Sequence, residues 1–207
     1  MRGRPATDFH LTDQFGRRIS LSQFRGEPVL VTFMEAHCKT LCPLVAEKLR
    51  RAVTGIGRAG RQVAILVVSV DPEGDTPAAV QKFSVTHGML HRWHYLTASR
   101  AELTPTWRAY AIYAPPRGAA PALRDSHTSA TYLIDQQGRE RVLFASTLDV
   151  QGLEQDLRIL LGLPVGGRSA IADAEPVVGY PAPDFALRDV SGKTLGLSSL
   201  QDRKSVV

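Results

Sequence analysis

The chain has 207 residues, of which 43% are hydrophobic and 22% are charged, and its formal net charge is +5. This composition is typical of a folded globular protein and excludes an intrinsically disordered chain. No apolar run approaches the ~20 residues of a membrane-spanning helix, and the amino terminus has no apolar signal core. Four arginines cluster without interleaved aromatic residues or a nucleic-acid-binding motif, so we expect no nucleic acid partner. The cluster consists of Arg50, Arg51, Arg58 and Arg61. We interpret it as the solvated face of a helix, and the alternative is a docking patch for an acidic partner or a membrane surface.

The amino-terminal half predicts alternating strands and helices. Residues 8–21 alternate around a Gln-Phe-Gly turn and predict a β-hairpin. The apolar run 29–34 predicts a buried strand, and a polar turn connects it to a helix. That helix has a predicted sheet-facing stripe formed by Leu44, Val45, Leu49, Val53 and Ile56. The run 63–70 predicts a second core strand that is apolar on both faces, as in parallel sheets.

The remaining segments complete an α/β pattern. Residues 71–77 (Asp-Pro-Glu-Gly-Asp-Thr-Pro) predict an exit loop, with Asp75 or Thr76 as the N-cap of the next helix and Pro77 at its first position. Further elements are expected as a strand at 93–96, a helix at 100–110, a surface loop at 114–122, paired strands at 131–134 and 141–144, and a helix at 150–161. This order predicts a thioredoxin-like fold, with a central mixed β-sheet flanked by helices and an N-terminal β-hairpin.

The only two cysteines, Cys38 and Cys42, lie together where the first core strand turns into its helix. Backbone N–H groups at a helix amino end stabilise negative charge, so thiols there become better nucleophiles and better metal ligands. Two cysteines cannot form a disulfide scaffold for a chain of this length. Their four-residue spacing permits either a redox-active disulfide, if Cys38 lies in the turn, or two sulfurs binding one metal ion.

A histidine occupies the loop in which thioredoxin-like proteins usually have a cis-proline. Here that loop is residues 127–131, which begin with His127 and contain no proline. Two thiolates and one imidazole suit Cu(I), Cu(II) or Zn(II), and the soft thiolates favour copper. His37, beside Cys38, is an alternative ligand, although a solvent-facing position is preferred. Ordinary surface positions are also preferred over a separate metal site for His87, His91 and His94.

The sequence resembles the Sco/SenC family of copper chaperones in cytochrome c oxidase assembly. The resemblance covers about residues 5–161 and depends on three motifs in order: Cys38-x-x-x-Cys42-Pro43, the segment 71–77, and His127 shortly before Tyr132-Leu-Ile-Asp135. It departs from the family pattern at Lys39 and Leu44, where a proline and an acidic residue are common, and at Glu35 and His37, which replace small polar residues.

The resemblance implies that Cys38, Cys42 and His127 bind copper, as Cu(I) or Cu(II). It also implies that the protein delivers copper to the binuclear copper site of the oxidase, or reduces the cysteines of that site. The implied partners are the copper-binding subunit of the oxidase or another cuproprotein, and a thiol reductant of thioredoxin type. The implied location is extracytoplasmic, with a membrane anchor or signal that this chain does not contain.

Two enzymatic readings compete with a chaperone. In a thiol-disulfide oxidoreductase, one cysteine of the Cys38/Cys42 pair attacks a partner disulfide and the other resolves the mixed disulfide. A peroxiredoxin-like peroxidase is less favoured because Glu35 occupies the position three residues before Cys38, where that class has threonine.

The end of the chain repeats its beginning. Residues 5–31 align without a gap on residues 181–207 after a shift of 176 positions, and ten of the 27 positions are identical. We therefore expect a domain at 1–161, a Gly/Pro/Ala-rich linker at 162–180, and the incomplete start of a second thioredoxin-like domain at 181–207. The alternative is a tail that only repeats a common hairpin pattern. A tandem protein of this kind could carry the reductant of the cysteine pair in its second domain.

Overall fold

The structure is a computed structural model that describes residues 3–118, 127–145, 148–165, 186–188 and 194–196. The chain divides into two compact units, Met1–Asp173 and Ala174–Val207. The first unit contains the predicted order of elements. They are β1 (His10–Thr12), β2 (Arg18–Ser20), β3 (Val29–Met34), α1 (Leu41–Gly55), β4 (Ala64–Ser69), α2 (Pro77–Thr86), β5 (His94–Leu96), α3 (Arg100–Ala109), β6 (Thr131–Ile134), β7 (Glu140–Phe144) and α4 (Val150–Leu160), with short 3-10 helices at Leu21–Phe24 and Gly57–Gln62.

The central sheet has the strand order β5-β4-β3-β6-β7 and is mixed, as predicted. β3, β4 and β5 are parallel, whereas β6 runs antiparallel to β3 and β7 antiparallel to β6. Because β6 is antiparallel to β3, it begins at the end of the sheet where β3 and β4 finish. The segment that precedes β6 therefore lies beside the segments that follow β3 and β4. The topology therefore brings together three stretches that are far apart in sequence: residues 35–42 between β3 and α1 (the cysteine turn), residues 71–77 and His127.

Helices cover both faces of the sheet. On one face, α1 and α4 form a core with Leu30 of β3 and Ile65 of β4. On the other face, α3 and the β1–β2 hairpin pack around Phe33. Strand β3 is buried along its whole length, as its continuous apolar run predicts.

The predicted apolar stripe of α1 is wrong at one position. Leu44 is 58% exposed, whereas Val45 is 5% exposed and Leu49 is completely buried. The buried positions of α1 centre on the direction of Leu49, and Leu44, five positions earlier at about 100° per residue, points about 140° away from it. The buried face begins one turn earlier, at Cys42, which the helix packs against the core.

The second unit contains one antiparallel pair of strands in its described part, Ala186–Arg188 (β8) and Thr194–Gly196 (β9). Its register pairs residue 186 with 196, and the β1–β2 register pairs residue 10 with 20. The same shift of 176 positions thus converts one hairpin into the other. The second domain and the linker remain predictions, because most of residues 162–180 and 181–207 lie outside the described residues.

Candidate metal centre

The cysteine turn connects β3 to α1, and the first turn of the helix lies against the sulfur of Cys38. Cys38 precedes the helix, and its N–H donates to the carbonyl oxygen of Glu35 at 3.4 Å. Cys42 is the second residue of α1, and its N–H donates to the Sγ of Cys38 at 3.4 Å. Thr40, the N-cap residue, makes no side-chain capping bond, so the sulfur of Cys38 satisfies a donor of the first helical turn. Such a donor stabilises a thiolate.

The two sulfurs differ in exposure and in acidity. Both cysteines are free; Cys38 is half-buried and Cys42 is only 2% exposed. The hydrogen bond from the Cys42 thiol lowers the pKa of Cys38, and it outweighs the opposing effect of burial. The same hydrogen bond, together with burial, raises the pKa of the Cys42 thiol. These opposite shifts favour a thiolate at the outer sulfur and a thiol at the inner one.

His127 reaches the cysteine pair from the segment before β6. Its Nε2 lies 3.8 Å from the Sγ of Cys42, across 85 residues of sequence. Its Nδ1 donates to the carbonyl oxygen of Thr128 at 3.2 Å; a carbonyl only accepts, so this bond leaves Nε2 to face the sulfurs. Burial lowers the pKa of His127, but hydrogen bonds with Cys38 and Thr128 outweigh it and raise the pKa overall.

The donor geometry is compatible with one soft metal ion. With metal–sulfur bonds of about 2.3 Å and metal–nitrogen bonds of about 2.0 Å, sulfur and nitrogen ligands of one ion are roughly 3.5–3.8 Å apart. The 3.8 Å between Cys42 and His127 falls at the upper end of this range. In the described residues no three histidine, cysteine or acidic side chains already form a group that could hold a metal ion. Binding would therefore require the thiols to turn from each other toward the ion.

Residues 71–77, the loop after β4, dock on the cysteine turn. The carboxylate of Asp75 is 3% exposed; its Oδ1 accepts from the N–H of Ala36 at 2.7 Å, and its Oδ2 accepts from the hydroxyl of Tyr95 at 3.0 Å. Burial raises the pKa of Asp75 to about 6, against the opposing effect of its hydrogen bonds. The N-cap of α2 is Thr76, whose hydroxyl accepts from the N–H of Ala79 at 3.3 Å. Asp75 thus fixes the cysteine turn instead of capping the helix.

The second candidate histidine of the turn is directed elsewhere. The Nε2 of His37 donates to the carbonyl oxygen of Gly74 at 3.0 Å, which adds another bond between the turn and residues 71–77. The three histidines 87, 91 and 94 have other partners: His94 contacts the buried carboxylate of Asp13 at 3.0 Å, and His91 and His87 lie against the rings of Phe15 and Phe83. They form no metal-binding group in the part of the chain that the structure describes.

Sequence reasoning missed an arginine that connects two loops beside the site. The Nε and Nη2 of Arg100 donate to the carboxylate of Glu73 at 3.0 and 2.6 Å, and its Nη1 donates to the carbonyl oxygen of Pro115 at 2.8 Å. These partners are 27 and 15 residues away from Arg100, so no local pattern could indicate them.

Known proteins resemble this chain in sequence and in fold. The SCO1 protein homolog of Bacillus subtilis is 28% identical over 135 residues, which cover 63% of this chain and 68% of the relative. The mitochondrial SCO2 homolog of Bos taurus is 33% identical over 135 residues, which cover 63% of this chain and 50% of that protein. The chain thus spans about half the length of this mitochondrial relative.

A solved structure and a family model agree with these relatives. Copper-bound ScoI of Bradyrhizobium japonicum superposes with a TM-score of 0.63 at 25% identity, covering 75% of this chain and 99% of that chain.

Within the described residues, none of the helices combines the length and apolar character needed to cross a membrane. The SCO1/SenC family model matches residues 2–162, and the chain is therefore a member of the SCO1/SenC family.

Proposed function

We propose that the protein is a copper-binding metallochaperone, which delivers copper or reducing equivalents for assembly of the binuclear copper site of cytochrome c oxidase. Cys38, Cys42 and His127 are its proposed copper ligands. The observation that carries this proposal is the 3.8 Å approach of His127 Nε2 to the Cys42 sulfur, beside the Cys38 sulfur. Membership of the SCO1/SenC family and the likeness to copper-bound ScoI support copper as the cargo.

The chemistry of the three donors suits this cargo. Thiolates are soft ligands that favour Cu(I), and a neutral imidazole completes a set that also accepts Cu(II). Two residues outside the ligand set orient the donors: Asp75 accepts a hydrogen bond from the cysteine turn, and Thr128 accepts one from the His127 ring. Metal binding requires deprotonated sulfurs, so loading of the site releases the proton that Cys42 retains in the free pair.

The proposed partners are the copper-binding subunit of the oxidase or another cuproprotein as recipient, and a thioredoxin-type protein as reductant. We place the protein outside the cytoplasm, as membership of the SCO1/SenC family suggests.

A thiol-disulfide oxidoreductase is the second candidate function, and the unequal thiols favour it. Cys38 is half-exposed with a lowered pKa, which suits the attacking thiolate, while the buried Cys42 with a raised pKa suits the resolving thiol. The two thiols would form one disulfide and transfer two electrons and two protons to the disulfide of the partner, which becomes a dithiol.

Anaerobic copper titration of the reduced protein tests the ligand set. We expect the wild type to retain one copper per chain after gel filtration. His127→Ala should bind Cu(I) at least about 100-fold more weakly, since loss of even an outer-sphere partner costs 10–100-fold. His91→Ala is the matched control, because this exposed imidazole stacks on Phe15 in the β1–β2 hairpin and should leave copper affinity unchanged.

The same variants separate the two functions. His127→Ala should keep the dithiol reactivity of Cys38 and Cys42, because disulfide exchange does not need the imidazole. Full copper affinity in His127→Ala would show that the three-ligand site is wrong. A wild type that retains no copper but exchanges freely with a thioredoxin would assign the oxidoreductase function instead.

A further inference from the structure

We propose that Arg100 is a positioning residue for the third copper ligand: its guanidinium connects the loop that leads to His127 with the loop that fixes the cysteine turn. The inference depends on the proposed ligand set. Arg100 contacts none of the three ligands, so it would act through the backbone that carries His127.

One end of this connection is firmly joined to the cysteines. Arg100 binds the carboxylate of Glu73 through two nitrogens, at 3.0 and 2.6 Å, a bidentate arrangement that fixes direction as well as distance. Glu73 belongs to residues 71–77, which dock on the cysteine turn through the bond from Ala36 to Asp75 and the bond from His37 to Gly74. Arg100 is thereby held relative to the two sulfurs.

The other end leads to the histidine in three steps. The third nitrogen of Arg100 donates to the carbonyl oxygen of Pro115 at 2.8 Å. Two residues earlier, Tyr113 pairs with Thr128: the N–H of Thr128 donates to the Tyr113 carbonyl oxygen, and the N–H of Tyr113 donates to the Thr128 hydroxyl, both at 3.0 Å. The carbonyl oxygen of Thr128 then accepts from Nδ1 of His127 and directs its ring.

The surroundings of Arg100 include an open cavity and an aromatic ring. A cavity of about 310 Å³ lies beside it, with a lining that includes Glu35, Glu73, Pro115 and Arg117. At this cavity the guanidinium bridges the two loops by its hydrogen bonds to Glu73 and Pro115, and it lines the cavity itself. It also lies over the ring of Trp107, 5.4 Å from the centroid. A lysine ammonium lacks the planar fork that makes these bonds together.

A double-mutant cycle on Cu(I) affinity, measured with a competing chelator, tests the role. With His127 present, Arg100→Gln should weaken Cu(I) binding about 10-fold, the lower end of outer-sphere effects. In the His127→Ala background the same change should have less than about a twofold effect, because the residue through which Arg100 acts is absent. The Cu(II) absorption spectrum of Arg100→Gln should also shift toward that of His127→Ala.

The chain offers a matched control. Arg50 binds Glu47 through two nitrogens at 2.9 and 2.8 Å, on the surface of α1. Arg50→Gln removes a bidentate pair of the same kind and should leave both the affinity and the spectrum unchanged. Glu73→Gln keeps the bond to Pro115 but weakens the other end, so it should give an effect between wild type and Arg100→Gln, and it provides a folded variant if Arg100→Gln unfolds.

The possible outcomes distinguish this inference from the proposed function. Equal losses of affinity in both backgrounds would overturn the inference, because Arg100 would then act on the whole site. An unchanged affinity in both Arg100→Gln and Glu73→Gln would overturn it as well. If His127→Ala alone binds copper as tightly as wild type, the ligand set itself is wrong, which is a failure of the proposed function.

Discussion

The cysteine turn (residues 35–42) and the histidine loop (residues 113–118 and 127–130 in the described structure) are held in different ways. The turn is fixed from the core, by the carboxylate of Asp75, which is 3% exposed, and the fully buried Tyr95. The loop is fixed near the surface, by Arg100 and by Tyr113, which is 51% exposed. Buried bonds contribute to global stability, whereas exposed ones contribute little. Changes in the turn should therefore affect folding, and changes in the loop should affect metal binding.

The largest effect on stability is expected for Asp75→Ala. The change leaves the N–H of Ala36 and the hydroxyl of Tyr95 without their buried acceptor, so the free energy of unfolding should fall by about 3 to 4 kcal/mol. Urea denaturation measures this difference. Thr76→Ala is the control, since loss of an N-cap costs about 1 kcal/mol. Equal losses in the two variants would mean that the core does not anchor the turn through Asp75.

The raised pKa of Asp75 predicts a pH dependence that sharpens the contrast. Burial raises this pKa from 3.8 to about 6, so between these values the folded state holds a proton that the unfolded chain has released. Stability from this group is complete below pH about 4 and is lost as the pH rises through about 6, by at most about 3 kcal/mol. Denaturation at several pH values should show a smaller loss in Asp75→Asn over this window. An identical slope in both proteins would contradict the assignment.

The smallest effect on stability is expected in the histidine loop. Thr128→Val removes the acceptor of the Tyr113 N–H but keeps the bond from its own N–H to Tyr113. The free energy of unfolding should change by about 1 kcal/mol or less, while Cu(I) affinity should fall several-fold because His127 loses part of its support. Thr86→Val, at the exposed end of α2, should change neither quantity. A large loss of stability without loss of affinity in Thr128→Val would reverse the comparison.

The fold followed from local pattern, because continuous apolar runs and loop chemistry recur along the whole first unit. The cysteine pair was visible for the same reason, and His127 came from its position in the element order. The predicted buried face of α1 was wrong at Leu44: Leu44 and Val45 are both apolar, and only packing shows that Leu44 faces solvent. Adjacent apolar residues always leave this ambiguity in a helix.

The parts that could not be predicted are contacts between distant segments. Asp75 occupies a position where a helix cap is a sufficient local explanation, and its bond to Ala36 spans 39 residues. Arg100 looked like an ordinary residue at the start of α3, because its partners come from two other loops. Local sequence specifies propensity and period, but the pairing of side chains across a sheet edge depends on the completed topology.

In the proposed copper site, the unequal depth of the two sulfurs would give copper transfer a direction. A recipient that approaches the site meets the half-buried Cys38 first and Cys42, only 2% exposed, last. Its own ligand would therefore replace the outer sulfur while the inner one still holds the ion. Cu(I) would pass through a state bound to both proteins and never be free in solution, so the rate of handover should depend on the recipient's concentration. The depth of the Cys42 sulfur would thus keep the ion bound to protein throughout the transfer.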